Sequence, residues 1–528
     1  MLAIAYLSYN TGQSNISEQI FNQLNSVRIA KANQIESYFE NIRNEIDVLS
    51  EDLMIINAVK DFKATYKTLE NKKLADNEQQ KLNKFYTQQY LTKLGQNNGE
   101  GSPVLEQYMP KNLAARYLQY QYIANNPNPL EKKNLLDTSG DPSDYNKIHS
   151  KYHPIFRNIY QKFGYYDIFL IDPSTGNIIY SLLKETDFGT NIFTGPYSKS
   201  NLAQSVSAVI DAKRKNYSKI VDFAPYKPSY DAPASFIATP IFEQSNLIGV
   251  LAFQISLDKV NQVMTGNKKW RKEGLGETGE SYIVGADYTM RSMSRLLAEN
   301  AEIYLKKAEK TGLSKEIIAQ IKNTGTTILF QKVNTTAAKE ALSGKEDTQI
   351  MKNYLDIPVI SSYAPLQIEG LQWVIISEIA LREAYASVYS FQKVMLIWGA
   401  LIVLLITLAS MILSYIFIRP INILTGNARK ISGGQIHGIV KIKSHDEFGE
   451  LSDAFNEMVI SLQKQTSTIK EKNQENEKLL LSLFPDSVAK RLKNGEQDIS
   501  DHVDNVTVLV SDIVGFTRLY ETMEVNHV

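Results

Sequence analysis

The residues closest to recognisable chemistry lie in the run VTVLVSDIVGFTRLY, from Val506 to Tyr520. The pattern predicts a buried strand, VTVLV, that ends at Asp512 and is followed by a glycine turn and the start of a helix. An aspartate in this position can bind Mg²⁺, and the backbone N–H groups of residues 513–517 can face a triphosphate. An aspartate that only caps the helix would give the same pattern, so the residue types leave both interpretations open.

A second candidate site lies around the stretch VDFAPYKPSYDAPASF, which mixes acids, aromatics and prolines. The composition predicts a loop that covers a sheet and contacts a small-molecule ligand. A proline-stiffened surface loop without a ligand is the alternative interpretation. The candidate ligand residues are Tyr197, Asp222, Phe223, Tyr226, Tyr230 and Asp231.

Composition excludes several classes of function. The chain has 528 residues, and its 57 Lys plus Arg balance its 57 Asp plus Glu, which argues against nucleic-acid binding driven by bulk charge. There are 0 cysteines, so disulfides, thiolate metal sites and cysteine nucleophiles are excluded. The length predicts more than one domain.

One apolar segment divides the chain. Val394 to Ile418 contains no charged side chain and is long enough as a helix to cross a hydrocarbon core of about 30 Å. Pro420 is expected to break this helix directly after the span. Residues 1–12 are either the start of a buried helix or the remnant of a first transmembrane helix that begins upstream, and we favour the second.

The elements before the span predict two antiparallel sheets. Residues 14–66 have the apolar spacing of one long amphipathic helix. YYDIFLID and IIYSLL then predict one hairpin, and SFIATPIF and LIGVLAFQIS a second, with a helix at Asn201–Asn216 between them. We expect helices on one face of this sheet. After Trp270, a smaller sheet of the same kind is predicted, and Leu381–Lys393 is expected to run as helix straight into the span.

This order of elements resembles a double Cache sensor. The hairpin YDIFLIDPSTGNIIYS and the run GLGETGESYIVGADYTMRS carry the resemblance. It implies an extracytoplasmic region over 13–390 with two PAS-like modules, a distal one at about 67–265 and a proximal one at about 266–380. It also implies an extracytoplasmic small-molecule ligand.

Residues 418–470 resemble a HAMP domain. The basis is the sequence IRPI after the span, two short heptad helices, and Asp446-Glu447-Phe448-Gly449 at the start of the second helix. The resemblance implies a parallel four-helix bundle in a homodimer, with Pro420 and Glu447 in signal relay. Residues 471–503 continue as a coiled-coil linker. Basic residues follow the span and favour a cytoplasmic location, namely Arg429, Lys430, Lys441 and Lys443.

LLLSLFPDSVAKRLKNGE followed by VTVLVSDIVGFT resembles the entry to a class III nucleotidyl cyclase domain, which has a ferredoxin-like fold. The resemblance implies that Asp512 and Ile513 contact Mg²⁺ or Mn²⁺. It also implies that ATP or GTP is converted to cyclic AMP or cyclic GMP. The phosphate-facing residues would be Val514, Gly515, Phe516 and Thr517. Because the later catalytic residues of the family do not occur within residues 504–528, we expect this chain to be inactive as a cyclase.

The sequence as a whole predicts an α+β membrane receptor. The lipid bilayer is a partner, the location is the inner (plasma) membrane, the sensor lies outside, and the HAMP and cyclase portions are cytoplasmic. The alternative is a non-enzymatic sensor, a chemoreceptor or kinase-type input module that signals through partners. A sensor fragment that pairs with a full-length cyclase and dampens it is a third possibility.

Overall fold

The computed structural model describes residues 2–98, 103–512 and 514. The predicted site residues Ile513, Gly515, Phe516 and Thr517 lie outside the described residues. The chain divides into two compact units, residues 1–393 and residues 394–528.

The first unit begins with two helices, α1 (Leu2–Ser50) and α2 (Leu53–Leu69). The prediction of one continuous helix over 14–66 is wrong, because the chain breaks between them. Asp52 has an extended backbone, and its side chain accepts a hydrogen bond from Met54 N at 2.7 Å, so it caps α2. A capping aspartate offers the backbone an alternative to continuing the helix.

The distal sheet has five strands in the order β2-β1-β5-β4-β3, all antiparallel. Both predicted hairpins are confirmed, β1 with β2 and β4 with β5. The strands are β1 (Asp167–Ile171), β2 (Ile178–Ser181), β3 (Lys219–Tyr226), β4 (Ala232–Glu243) and β5 (Asn246–Gln254).

The predicted covering loop is wrong over much of its length, because β3 is an edge strand paired with β4. Pro225 lies in this strand opposite Pro233. Proline cannot donate to a strand ladder, which is tolerated at a sheet edge. The prolines that suggested a loop therefore mark an edge strand, and only Lys227–Ser229 forms a 3₁₀ turn before β4.

Helices cover both faces of the distal sheet, so the prediction of one covered face is wrong. All five residues of β1 are buried. Ile168 and Leu170 pack into the core that includes α1 and α2, whereas Phe169 and Ile171 pack against α8 on the other face. The remaining distal helices are α3 (Asp76–Phe85), α4 (Leu91–Asn98), α5 (Leu105–Tyr108), α6 (Leu113–Gln119), α7 (Asp144–Phe163), α8 (Asn201–Ala212) and α9 (Leu257–Thr265).

The proximal module has a four-stranded sheet in the order β6-β9-β8-β7. Its strands are β6 (Glu280–Gly285), β7 (Asp347–Lys352), β8 (Pro358–Pro365) and β9 (Trp373–Ala380). The sequence predicted all of these except β7, whose DTQIMK is polar and lies exposed at the sheet edge. Its helices are α10 (Arg295–Glu299), α11 (Ala301–Lys310), α12 (Lys315–Thr324) and α13 (Thr336–Leu342).

The two sheets share one core. The apolar cluster beneath the distal sheet includes Ile283 of β6 and both Trp373 and Ile375 of β9. Phe39 of α1 meets Trp373 edge to face, with ring centroids 5.3 Å apart. The distal and proximal sheets therefore contact each other as well as α1.

The chain leaves the proximal module through α14 (Leu381–Ala384) and α15 (Ala386–Leu413). Tyr385 interrupts the predicted continuous helix Leu381–Lys393, because its backbone (φ −96°, ψ 10°) departs from helical values. Among the described residues, Ala386–Ser432 is the helix that is long and apolar enough to cross a membrane, and none of its most apolar window is buried. The proposed first span at residues 1–12 stays a prediction.

Pro420 does not break the helix, which corrects the sequence prediction. A π-turn, Ser414–Ile418, follows α15, and α16 (Arg419–Ser432) continues directly from it with Pro420 in its first turn. Arg419 N–H donates to the carbonyl oxygen of Ser414. The wider turn relieves the clash of a proline ring with the preceding turn, so the helix continues.

The second unit continues through a connector to α17 (Glu447–Leu483), and α18 (Asp486–Lys493) follows a break at Pro485. Asp446 caps α17 by accepting hydrogen bonds from Phe448 N and Gly449 N. Asn456 of α17 exchanges two hydrogen bonds of 2.8 Å with the Val440 backbone, which fixes the connector against the helix.

Residues 506–510 do not form the predicted buried strand. They carry no regular secondary structure, and Leu509 is 89% exposed. A strand is stabilised by the neighbours to which it pairs. Within the described part of the chain, no strand pairs with these residues.

Candidate ligand-binding site

A group of polar side chains meets below the turn that joins β3 to β4, and we call it the distal cluster. The π-turn Tyr86–Tyr90, the segment after β2, the turn before α8 and the ends of β3 and β4 supply its members. They are Tyr90, Thr186, Asp187, Tyr197, Tyr226 and Asp231.

Hydrogen bonds link the members of the distal cluster. The hydroxyl groups of Tyr197 and Thr186 lie 2.7 Å apart, and those of Tyr197 and Tyr90 lie 3.3 Å apart. Tyr226 donates to Asp187 Oδ2 at 2.5 Å. Lys227 Nζ donates to Asp231 Oδ2 at 2.8 Å, and the Lys227 carbonyl accepts from Tyr90 at 3.0 Å.

One oxygen of each aspartate in this cluster lacks a partner. Asp187 is 0% exposed and Asp231 is 8% exposed, yet Asp187 Oδ1 and Asp231 Oδ1 accept no hydrogen bond. Buried polar atoms are almost always hydrogen-bonded, and an orphaned one is costly. Donor groups on a ligand would satisfy both oxygens.

Burial and neighbouring charge shape the titration of this cluster. Burial, and then the charges of Glu185 and Asp167, raise the pKa of Asp187 well above its usual range. Burial also raises the pKa of Glu185 to about 7, against a hydrogen bond from Ser229 that lowers it. A cation brought beside Asp187 would oppose the effect of burial on its pKa and favour its charged form.

Tyr197, Tyr226 and Asp231 are predicted ligand residues that the structure brings together in the distal cluster. Tyr230 lies at the edge of the cluster, where its ring centroid is 5.7 Å from that of Tyr90. Tyr230 and Asp231 both have positive φ, 59° and 62°, which turns the chain from β3 into β4.

Asp222 and Phe223 lie outside the distal cluster, and their assignment as ligand residues stays a prediction. The β3–β4 register shifts between Val221 and Ala224, so both residues occupy a bulge. A bulge re-aims the side chains it contains. We call the contact that they make with Arg291 and Trp373 of the proximal module the inter-module joint.

The inter-module joint contains a two-pronged ion pair. Arg291 Nε donates to Asp222 Oδ1 at 2.9 Å, and Arg291 Nη2 donates to Oδ2 at 3.0 Å. Trp373 Nε1 donates to Asp222 Oδ1 at 2.9 Å. The rings of Phe223 and Trp373 stack with centroids 5.8 Å apart and planes 9° apart.

Sequence reasoning missed Tyr90, Thr186 and Asp187. Tyr90 lies in a helical region without a local signal of function. Thr186 and Asp187 belong to the run Lys184-Glu185-Thr186-Asp187, which begins three residues after the end of strand β2 at Ser181. Two acids placed after a fully buried strand were the available signal for this part of the site.

The proximal module contains a different carboxyl pair. Glu280 and Glu378 lie directly opposite each other in the β6–β9 register and are 6% and 2% exposed. They line a cavity of about 660 Å³. Each carboxyl has partners on both oxygens: Tyr354 and Arg295 N donate to Glu280, and Asn353 and Tyr282 donate to Glu378. Burial, and then Glu280, raise the pKa of Glu378 to about 8.

Of the predicted metal and phosphate residues, Asp512 and Val514 lie within the described part of the chain. Asp512 and Val514 are exposed. Among residues 2–98, 103–512 and 514, no group of three or more His, Cys, Asp or Glu side chains is placed to hold a metal ion. Ile513 and residues 515–517 lie outside the described residues, so metal binding by Asp512 and Ile513 stays a prediction from the resemblance. So does the relay role of Pro420 and Glu447.

Comparison with solved structures finds bacterial sensor domains. The ligand-binding domain of the Pseudomonas aeruginosa PAO1 amino acid chemoreceptor PctC, in complex with GABA, shares 10% identity, with a TM-score of 0.27, over 46% of this chain and 85% of that chain. The sensor domain of the V. cholerae histidine kinase DctB shares 17% identity, with a TM-score of 0.26, over 50% of this chain and 88% of that chain.

The ligand-binding domain of the Pseudomonas fluorescens chemoreceptor CtaA, in complex with L-isoleucine, shares 12% identity, with a TM-score of 0.27, over 59% of this chain and 98% of that chain. No curated protein matches the sequence. The HAMP domain family matches residues 412–464, which span the π-turn, α16, the connector and the start of α17. The chain therefore carries a HAMP domain, in the region where the sequence pattern predicted one.

Proposed function

We propose that this protein is a transmembrane receptor whose distal cluster binds a small molecule bearing a protonated amine. The HAMP helices of a homodimer then pass the signal to a class III nucleotidyl cyclase domain. The sensor modules face outward from the inner membrane, and the HAMP domain and the residues after it lie in the cytoplasm.

The observation that carries the sensing proposal is the pair of buried, unpartnered carboxylate oxygens, Asp187 Oδ1 and Asp231 Oδ1. An ammonium group offers up to three N–H donors and a positive charge. It would supply the missing hydrogen bonds and oppose the burial that raises the pKa of Asp187. The tyrosine side chains around these acids suit the apolar body of such a ligand.

The order of elements supports a receptor. Two sensor-like modules come first, a helix able to span a membrane follows, and the HAMP domain begins within that helix. HAMP helices with a heptad pattern favour a bundle made by two chains, so we propose a homodimer. A bundle of this type can pass a displacement between two packings.

The output proposal depends on the sequence SDIVGFT at 511–517 and the linker before it. We propose ATP or GTP as substrate and Mg²⁺ or Mn²⁺ as cofactor, with Asp512 and Ile513 as metal residues. A chemoreceptor-type input module is the competing function, and it predicts no cyclic nucleotide.

A screen of the full chain in lipid nanodiscs tests the sensing proposal. The melting temperature is measured with a panel of primary amines and amino acids, each paired with its N-acetylated form. We expect at least one free amine to raise the melting temperature and its N-acetylated form to have no effect, because acetylation removes the charge. The shift is lost in Asp231→Asn and kept in Asp211→Asn, an exposed aspartate on α8. A panel in which free and acetylated forms act alike contradicts the proposal.

A cyclase assay tests the output. Protein encoded by the whole reading frame is incubated with ATP or GTP and Mg²⁺ or Mn²⁺, and cyclic AMP and cyclic GMP are measured. We expect one of them to form, and Asp512→Asn to reduce the rate by about a hundredfold or more, since a metal carboxylate is removed. Equal rates in the wild type and in Asp512→Asn would contradict the assignment, and absence of product would favour the chemoreceptor-type function.

A further inference from the structure

Strand β3 belongs to both the distal cluster and the inter-module joint. Tyr226 at its C-terminal end donates to Asp187 in the cluster. Asp222 and Phe223, in the bulge of the same strand, contact Arg291 and Trp373 of the proximal module. One short strand thus connects the proposed ligand site to the second sheet.

The side chains of the inter-module joint hold the two modules together at this contact. The side chains of Arg291 and Phe223 are 4% exposed, and Trp373 is 1% exposed. Arg291 also pairs with Asp287 of its own module at 3.0 Å, so the guanidinium is anchored there, and losing Asp222 would remove one of the two carboxylates beside a buried charge, which is unfavourable. The two parallel N–H···O bonds also fix the orientation of the two groups, and the stacked rings of Phe223 and Trp373 restrict sliding.

From the joint, the chain leads directly towards the span. Trp373 is the first residue of β9, which ends at Ala380 and is paired with β6 and β8. Helix α14 begins at Leu381, and α15 begins at Ala386. A displacement of Trp373 along β9 therefore reaches the start of the candidate membrane helix without crossing a flexible loop.

We infer that β3 and the inter-module joint transmit occupancy of the distal cluster to β9 and α14. This inference rests on the proposed function, in which the distal cluster binds the ligand. A ligand that draws Asp187 away from Tyr226 shifts the end of β3, and Asp222 and Phe223 pass that shift to Trp373. Asp222 and Phe223 thus act in transmission and not in ligand contact.

Helix α1 offers a competing route, because it also contacts both modules. Arg43 Nη1 donates to the Ser218 carbonyl of the distal module at 3.2 Å, and Arg43 Nη2 donates to the Glu369 carbonyl of the proximal module at 3.0 Å. An Arg43→Gln variant weakens this bridge and leaves the joint intact. It serves as the matched control for a variant of the joint.

Hydrogen exchange of the full chain in nanodiscs tests the inference without a ligand. Tyr226→Phe removes the hydroxyl that donates to Asp187 and so perturbs the cluster. Trp373→Phe keeps a stacked ring but removes the Nε1–H donor to Asp222, which weakens the joint mildly. Exchange is followed by mass spectrometry in peptides covering 373–390, for the single variants and for Tyr226→Phe combined with Trp373→Phe or with Arg43→Gln.

We expect Tyr226→Phe to change exchange in these peptides by about threefold or more, both alone and with Arg43→Gln, because opening of β9 and α14 depends on the joint. With Trp373→Phe, the effect of Tyr226→Phe should fall to less than about half of that. No effect of Tyr226→Phe, an effect unchanged by Trp373→Phe, or an effect abolished by Arg43→Gln would each overturn the inference. Because no ligand is used, a negative hydrogen-exchange result would not contradict the amine-binding proposal. A negative amine screen would likewise not contradict the hydrogen-exchange result.

Discussion

The distal and proximal modules each contain a buried pair of carboxyl groups, but the two pairs differ in their hydrogen bonding. In the proximal module, Glu280 and Glu378 have a donor on every oxygen, although they line a cavity of about 660 Å³. In the distal module, Asp187 and Asp231 each keep one oxygen without a donor. An unmet hydrogen bond is therefore stronger evidence for a ligand site than a cavity of ligand size. We assign stability to the proximal pair and recognition to the distal pair.

The largest expected effect is on stability, in the proximal module. Glu280→Ala leaves the Tyr354 hydroxyl and the Arg295 N–H buried without an acceptor. We expect the free energy of unfolding to fall by about 3 kcal/mol, measured by urea denaturation of the full chain in detergent micelles. Glu309→Ala, at an exposed position of α11, is the control and should change the free energy of unfolding by less than about 0.5 kcal/mol. A loss in Glu280→Ala no larger than in the control would remove the structural role of this pair.

The opposite sign is expected in the distal module. Asp187→Asn removes a carboxyl whose pKa is raised by burial, and then by Glu185 and Asp167, while an amide oxygen can still accept from Tyr226. We expect a gain of about 1 kcal/mol in the free energy of unfolding without ligand, together with loss of amine binding. The same urea titration measures the gain at pH 7. If Asp187→Asn is instead destabilised as strongly as Glu280→Ala, the two pairs do not differ in role.

The pH dependence of stability sharpens the comparison further. Burial, followed by Glu280, raises the pKa of Glu378 from 4.5 to about 8, so the folded state holds a proton there that the unfolded state releases. Stability from this group should therefore be greatest below about pH 4.5, fall by about 1.4 kcal/mol per pH unit as the pH rises, and level off above pH 8. Glu378→Gln should remove this component between pH 5 and pH 8. Wild type and Glu378→Gln with parallel stability curves would contradict it.

The smallest expected effect concerns the cap of α17 in the HAMP region. Asp446→Ala removes the acceptor for Phe448 N and Gly449 N and should therefore make the first turn of α17 open more often. Hydrogen exchange of peptides at the start of α17 measures it, with Asp453→Ala, an exposed residue within the same helix, as the control. Hydrogen exchange in peptides from the distal and proximal modules should not change. Equal effects of the two substitutions would remove the capping role.

The sequence was sufficient for the parts of the fold that carry strong periodicity. Alternating apolar residues predicted both distal hairpins, and the heptads after the span predicted the HAMP helices. It was insufficient where one local feature has two physical outcomes. Pro225 and Pro233 fit an edge strand as well as a loop, and Pro420 is accommodated by a π-turn that no residue type signals.

The candidate site was predictable in part for the same reason. Tyr226 and Asp231 lie in a stretch whose composition is unusual, and the structure brings them together in the distal cluster. Asp222 belongs to the same stretch, but a bulge points it at Arg291, which is distant in sequence. Asp187 becomes a candidate site residue only because tertiary packing buries it, and no local sequence pattern predicts that burial.

Calorimetry of an amine identified by the screen tests the central claim most directly. The full chain in nanodiscs is titrated at pH 6 in two buffers of different ionisation enthalpy, so that the difference in heat counts the protons released. We predict that protons are released when the amine binds, because burial raises the pKa of Asp187 and a bound cation opposes that effect. Asp187→Asn should bind about tenfold or more weaker and release none, whereas Asp211→Asn should match the wild type. Tight binding without proton release and with unchanged affinity in Asp187→Asn would contradict the claim that the distal cluster is the ligand site.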